Sequence, residues 1–269
     1  MSDVAASQPI VELRGIRKSF GPFTALDGAD FAAYPGEVTA LVGDNGSGKS
    51  TLIKTLTGYI APDSGTIVVR GREHARLTPR RAIEEGIGVV YQDLALDDEK
   101  SCAENIFLGR EIVRGGVFLD RRAMRRRARE LLDSLGIDIT DVDQKVSGMS
   151  GGQRQALAIA RTMCFPHDIL VFDEPTSAMG MRETDRAMGL FRRLRDDGKS
   201  VILISHNLFQ VFDIADRISV MSHGRVVESF LAKDSTPQQL WDSIVLRESA
   251  VAREPEAEVA CEREAEVCA

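Results

Sequence analysis

Short apolar runs and longer stretches of helical periodicity alternate along most of this chain. Val38–Val42, Gly88–Tyr91, Ile169–Asp173 and Val201–Ser205 are brief, apolar and bounded by turn or polar residues, which predicts buried strands. Between or after them, Lys49–Gly58, Gln153–Met163, Glu183–Asp196 and Asn207–Asp213 read as helices. That alternation predicts βαβ units and a mostly parallel sheet covered on both faces. Ile10–Ser19, Leu26–Ala33, Thr66–Arg70 and Arg225–Ser229 are more amphipathic and are expected to form a flanking antiparallel sheet. Between Asp93 and Ser147 the pattern reads as a helical insertion, with an arginine-loaded helix over Leu119–Leu135 expected to present a solvated face. The longest apolar run, Ala156–Ala160, is far below the roughly 20 residues that span a bilayer. Met1–Pro9 lacks the basic start and apolar stretch of a secretory signal.

Charge changes this picture at one end. The 269 residues carry 34 Lys+Arg against 41 Asp+Glu, a net −7, within an otherwise ordinary globular composition. The acidic balance argues against a dedicated nucleic-acid binder. Residues 247–269 hold seven Glu and three Arg with no aromatic residue, so a mobile tail is expected there, after one domain spanning residues 9–246. Four cysteines without a CxxC favour a reducing compartment. His74, His167 and His223 have no motif around them and are expected at the surface.

Three motifs carry chemistry. Gly43-Asp44-Asn45-Gly46-Ser47-Gly48-Lys49-Ser50-Thr51 fits GxxxxGK[ST], follows the apolar strand 38–42 and opens a helix, the context that identifies a phosphate-binding P-loop. Its glycines let successive N–H groups converge on an anion, and the helix adds its positive end. Lys49 is expected on the β- and γ-phosphates, with Ser50 a Mg²⁺ ligand. Asp168–Glu174 is an apolar strand that ends in two carboxylates at the edge where a parallel sheet collects ligands. Asp173 suits a Mg²⁺ partner through water, and Glu174 suits the base or orienting group for an attacking water. Ser150-Gly151-Gly152-Gln153 opens another apolar helix and offers a second set of free N–H donors.

Taken together and in this order, these residues make the chain resemble the ATP-binding subunits of ABC transporters over roughly residues 9–246. The resemblance implies a P-loop NTPase (RecA-like) α/β core, a flanking antiparallel β subdomain and a helical subdomain at about 93–160. It also implies roles for four further features. Gln92 stands as the Q-loop glutamine, touching Mg²⁺ or water, and His206 as the switch histidine. Phe20 is placed as the aromatic that stacks on adenine, and Met149–Gln153 as the signature, with Met where Leu is usual. Two copies are then expected to close head to tail around two Mg-ATP, with Ser150 and Gly152 of one reaching the γ-phosphate held by the other.

One departure stands out. Where the family usually has Ser-Ala-Leu-Asp, this chain reads Ser177-Ala178-Met179-Gly180, losing a carboxylate that communicates across the dimer. Some monosaccharide-importer members carry glycine there. Asp44, Tyr91–Leu96, Glu104–Glu111 and Ile204–Asn207 are similar to that branch, in the single-domain, fructose-type arrangement. The expected activity is ATP hydrolysis driving uptake of a simple sugar through a separate multispanning permease, with an extracytoplasmic sugar-binding protein as an indirect partner. The expected place is the cytoplasmic face of the membrane. The rival readings are a nucleotide-gated binding module with little turnover, and an ABC ATPase serving another cargo.

Overall fold

The computed structural model describes residues 8–236, so the acidic segment 247–269 lies outside the described residues. In chain order, the first half consists of β1 (Val11–Phe20), β2 (Phe23–Ala33), β3 (Val38–Val42), α1 (Lys49–Leu56), β4 (Ser64–Val69), β5 (Arg72–His74), α2 (Pro79–Glu84), β6 (Ile87–Val90) and α3 (Cys102–Ile106). The second consists of β7 (Val113–Arg114), β8 (Phe118–Leu119), α4 (Arg121–Leu135), α5 (Gly151–Met163), β9 (Ile169–Asp173), α6 (Met181–Asp196), β10 (Ser200–Ile204), α7 (Leu208–Ile214), β11 (Arg217–Ser222) and β12 (Arg225–Leu231).

The main sheet has the order β12-β11-β3-β10-β9-β6. Strands β11, β3, β10, β9 and β6 run parallel, and β12 closes one edge antiparallel to β11. Strands β3, β9 and β10 are buried along their whole length, as expected of strands covered on both faces. A second, antiparallel sheet has the order β2-β1-β4-β5. The expected α/β core with an antiparallel flank is therefore present. Arg225–Ser229, however, belongs to the main sheet and not to the flanking one. It is the return strand of a hairpin with β11, turned through His223 and Gly224 at positive φ and tied by the Ser219 and Ser229 hydroxyls at 2.8 Å.

Apolar packing divides into three clusters. One fills the space between the two sheets, with Leu13, Phe31, Leu41, Leu52, Ile53 and Val171. A second covers the opposite face with α6 and α7, where the Phe172 and Phe191 rings lie 4.5 Å apart. The third joins α3, α4 and α5 through Ile106, Met124, Leu132, Met149 and Leu157. Helix α4 buries only Met124, Ala128 and Leu132. Its outer arginines are engaged locally: Arg125 pairs with Asp143, Arg127 with Glu130, and Arg129 donates to the Ile139 and Thr140 carbonyls.

Two of the three histidines expected at the surface are not there. His167 is buried against Gly88, where an added Cβ would lie 2.7 Å from the ring, and burial pushes its pKa down. The His74 side chain is only 14% exposed and its Nε2 lies 3.5 Å from the buried Glu85 carboxylate. Among the described residues, no helix is long and apolar enough to cross a membrane.

Candidate functional site

Strand β3 delivers the chain to the centre of the sheet's carboxyl edge, and the loop 43–48 turns it directly into α1. Glycine is required at both ends of that loop. Gly43 has φ +148, and a Cβ there would sit 2.1 Å from the Met221 carbonyl oxygen. Gly48, the N-cap of α1, has φ +107, and its Cβ would lie 2.6 Å from the Ala25 carbonyl oxygen. The backbone can thus pass between β2 and β11 with its amides turned inward.

Lys49 begins α1, is 7% exposed, and donates from Nζ to the Gly43 and Asp44 carbonyls, both at 2.7 Å. Burial lowers its pKa, while the charges of Glu174, Asp44 and Asp173 oppose that shift. Ser47 is buried and its hydroxyl has no hydrogen-bond partner among the described residues. The loop surrounds an open cleft of about 900 Å³ lined by Asn45, Gly46, Gly48, Lys49, Ser50 and Thr51, together with Gln92, Glu174, Ser177 and His206. Residues from four strand ends converge here: β3, β6, β9 and β10.

Asp173 is the last residue of β9 and is 3% exposed. Burial raises its pKa and the neighbouring Glu174 adds to the rise, against the opposing influence of Ser50, Lys54 and Lys49. Its Oδ1 is buried with no hydrogen-bond partner among the described residues. Burial of that unpartnered oxygen outweighs the nearby lysine charges, and Asp173 lines an adjoining cleft with Ser50 and Gln92. The hydroxyl, amide and carboxylate of these three are hard oxygen donors, the set that suits Mg²⁺. The residues fit the ion.

With a raised folded-state pKa, the folded chain binds more protons than the unfolded chain between the ordinary carboxylate range and that raised value. Stability therefore falls as pH rises through this window, and the deficit is complete above it. Asp173→Asn is expected to raise the metal-free melting temperature at neutral pH by about 2–4 °C, the shift that ~1 kcal/mol gives in a domain of this size. The same substitution should remove Mg²⁺-dependent turnover. Differential scanning calorimetry without the ion checks the first half, and a turnover assay titrated with Mg²⁺ checks the second.

Glu174 adopts φ +52, in the left-handed region that a non-glycine residue seldom occupies. Partners on both sides fix it: its N–H donates to the Ile204 carbonyl at 3.0 Å, and its own carbonyl accepts from Ser177 Oγ at 3.0 Å. The bend turns the carboxylate to His206, whose Nδ1 lies 2.8 Å from Glu174 Oε2. The Glu174 side chain is 12% exposed and that of His206 63%. A carboxylate held by an imidazole on the wall of the P-loop cleft has the geometry to orient, and take a proton from, a water molecule. Strain at such a position is characteristic of functional sites.

Not every expected residue enters this cleft. Phe20 ends β1 half-exposed, with Lys18 Nζ 5.6 Å from its ring centre, and does not line the cleft. Phe23, its partner across the β1–β2 turn and 61% exposed, does line it. A second aromatic directly after Gly21-Pro22 is the available signal for it. Ser150, Gly151, Gly152 and Gln153 also lie apart. Ser150 caps α5 reciprocally with Gln153: Ser150 Oγ accepts from the Gln153 N–H at 3.2 Å, and Gln153 Oε1 accepts from the Ser150 N–H at 3.0 Å. Gly152 and Gln153 border a different cavity, with Leu135, Met179, Glu183 and Leu190. One chain therefore presents two anion-receptive helix ends, those of α1 and α5, that do not share a pocket.

A sequence profile of the ABC transporter family matches residues 26–177. The chain is 44% identical over 238 residues to the fructose import ATP-binding protein FrcA of Rhizobium meliloti, covering 86% of this chain and 92% of that one. It is 43% identical to the xylose/arabinose import ATP-binding protein XylG of Sulfolobus acidocaldarius, covering 81% and 86% respectively. In structure it resembles a nucleotide-free ATP-binding cassette from an ABC transporter, with TM-score 0.74, 26% identity, and coverage of 83% and 92%. It also resembles a dimeric ATP-binding cassette in a post-hydrolysis state bound to ADP and phosphate, with TM-score 0.72, 26% identity, and coverage of 82% and 98%.

Proposed function

Since this chain belongs to the ABC transporter family of ATP-binding proteins, we propose that it is the subunit that hydrolyses ATP to drive uptake of a simple sugar through a membrane permease. The observation that carries the hydrolytic part is the Glu174–His206 pair at the mouth of the P-loop cleft, at 2.8 Å. The P-loop amides and Lys49 bind the phosphates, and Lys49 exchanges its bonds to Gly43 and Asp44 for phosphate oxygens. Glu174 takes the proton of the attacking water, and His206 fixes which oxygen of the carboxylate faces it. Ser50, Asp173 and Gln92 are the residues that would hold Mg²⁺, which when bound supplies positive charge to the phosphate oxygens. Phe23, with Phe20 beside it, offers the aromatic surface for the base.

Two copies are required because the α5 helix end lies outside its own chain's cleft. Facing the partner's P-loop, Ser150 and Gly152 complete the cage around the terminal phosphate. A multiply anionic ligand between two helix N-termini bridges the protomers, and its cleavage weakens the bridge. The names of the two relatives, both sugar import proteins, support the cargo class, and a place on the cytoplasmic side of the membrane follows from that role.

Uptake by cells lacking this chain tests the assignment. Wild type is expected to restore transport of labelled fructose, xylose or ribose, and Glu174→Gln to restore none. Failure of wild type on every sugar overturns the cargo class. Equal restoration by both overturns hydrolysis as the driver, and favours the nucleotide-gated module.

A further inference from the structure

The loop after Glu174 packs against the N-terminus of α5 in the same chain. A Cβ added to Gly151 would meet the Ala178 carbonyl oxygen at 3.1 Å and the Ala178 Cβ at 3.3 Å. A Cβ added to Gly152 would lie 2.5 Å from both Cδ and Oε2 of Glu183. The Glu183 side chain is anchored there by its Oε2, which accepts a hydrogen bond from the Gly180 N–H at 2.9 Å. Its carboxylate therefore serves two helix ends at once. It caps α6 from the third helical position and lies against the positive end of α5. Ser177 closes the connection to the reacting centre, through its Oγ bond to the Glu174 carbonyl at 3.0 Å. With glycine at 180 there is no side chain at that position to serve as a link.

We propose that Glu183 is a positioning residue that ties the Ser150–Gln153 helix end to the same protomer's Glu174 loop, and so couples the two nucleotide sites of the dimer. The inference rests on the head-to-tail dimer proposed above. In that arrangement, the helix end resting on Glu183 grips the nucleotide of the partner, while the loop it rests on follows the base of its own site. A shift of the Glu174 loop after cleavage is passed through Glu183 to the contact on the other nucleotide. No second anion-binding pocket is needed for the two sites to report to each other.

The experiment compares Glu174→Gln with the double variants Glu174→Gln/Glu183→Ala and Glu174→Gln/Glu183→Gln. ATP-driven dimerisation is read by analytical ultracentrifugation, and binding of a fluorescent ADP analogue to the monomer serves as the internal control. Glu183→Ala is expected to weaken dimerisation at least about tenfold, within the range usual for coupling between sites. Monomer affinity for the ADP analogue should stay within about twofold, since Glu183 does not border the P-loop cleft. Glu183→Gln, whose amide oxygen still accepts from Gly180, should recover most of the loss. If Glu174→Gln dimerises and Glu174→Gln/Glu183→Ala does so equally well, Glu183 is merely a helix cap and the inference is overturned. If Glu174→Gln itself stays monomeric, the dimer reading fails first and the coupling falls with it.

Discussion

Replacing Glu174 by Gln is expected to lower ATP turnover by about 10²–10⁴-fold, or roughly 3–5 kcal/mol of barrier, with little change in nucleotide affinity. The glutamine keeps the shape of the side chain and an oxygen for His206, so the bent backbone at φ +52 and its bonds to Ile204 and Ser177 have no reason to change. What is lost is a carboxylate able to accept a proton. Single-turnover hydrolysis measured alongside equilibrium binding separates the two effects. A parallel loss of affinity and rate would mean that Glu174 holds the nucleotide and does not act on water.

Lys49→Ala is expected to lower turnover and affinity together. The ammonium group is the charged donor nearest the phosphate seat, and removal of one such donor typically costs about 10²–10³-fold in turnover, near 3–4 kcal/mol. Because the same charge acts on the bound ground state, affinity for ATP should fall as well. The nucleotide-free fold should change little. Two hydrogen bonds to the Gly43 and Asp44 carbonyls disappear, but so does the cost of burying a cation whose pKa burial already lowers. Calorimetric titration with ATP, set beside a melting curve, checks both statements. A large drop in melting temperature without nucleotide would show that Lys49 braces the loop more than it serves the ligand.

The site was readable in the sequence where chemistry is local. The P-loop announces itself because only glycine meets the backbone demands at 43 and 48, and β3 and β9 begin and end where their apolar runs do. The Ser150–Gln153 reciprocal cap is likewise written in four consecutive residues. The failures share a different cause. Strand β11 was overlooked because Ser219 interrupts its apolar run, and its burial depends on the Ser229 hydroxyl, ten residues away. Without β11, β12 had no visible partner and was referred to the wrong sheet. The burial of His167 beneath Gly88 is decided by a strand about 80 residues earlier, which no local pattern reports. The short helices α2 and α3 did carry signals, Thr78 before Pro79 and the Ser101–Glu104 capping box, but each is too short for periodicity to reveal. Phe23 was passed over for Phe20 because the two face each other across one turn, and sequence alone does not say which side looks into the cleft.

All of these parts converge on the claim that neither chain holds a complete catalytic cage and that nucleotide joins two of them. Sedimentation of Glu174→Gln with and without saturating Mg-ATP is the direct measurement. The expected result is a monomer that becomes a dimer on adding Mg-ATP and returns to monomer when ADP replaces it. A chain that remains monomeric in Mg-ATP, or that is equally dimeric in its absence, would contradict it.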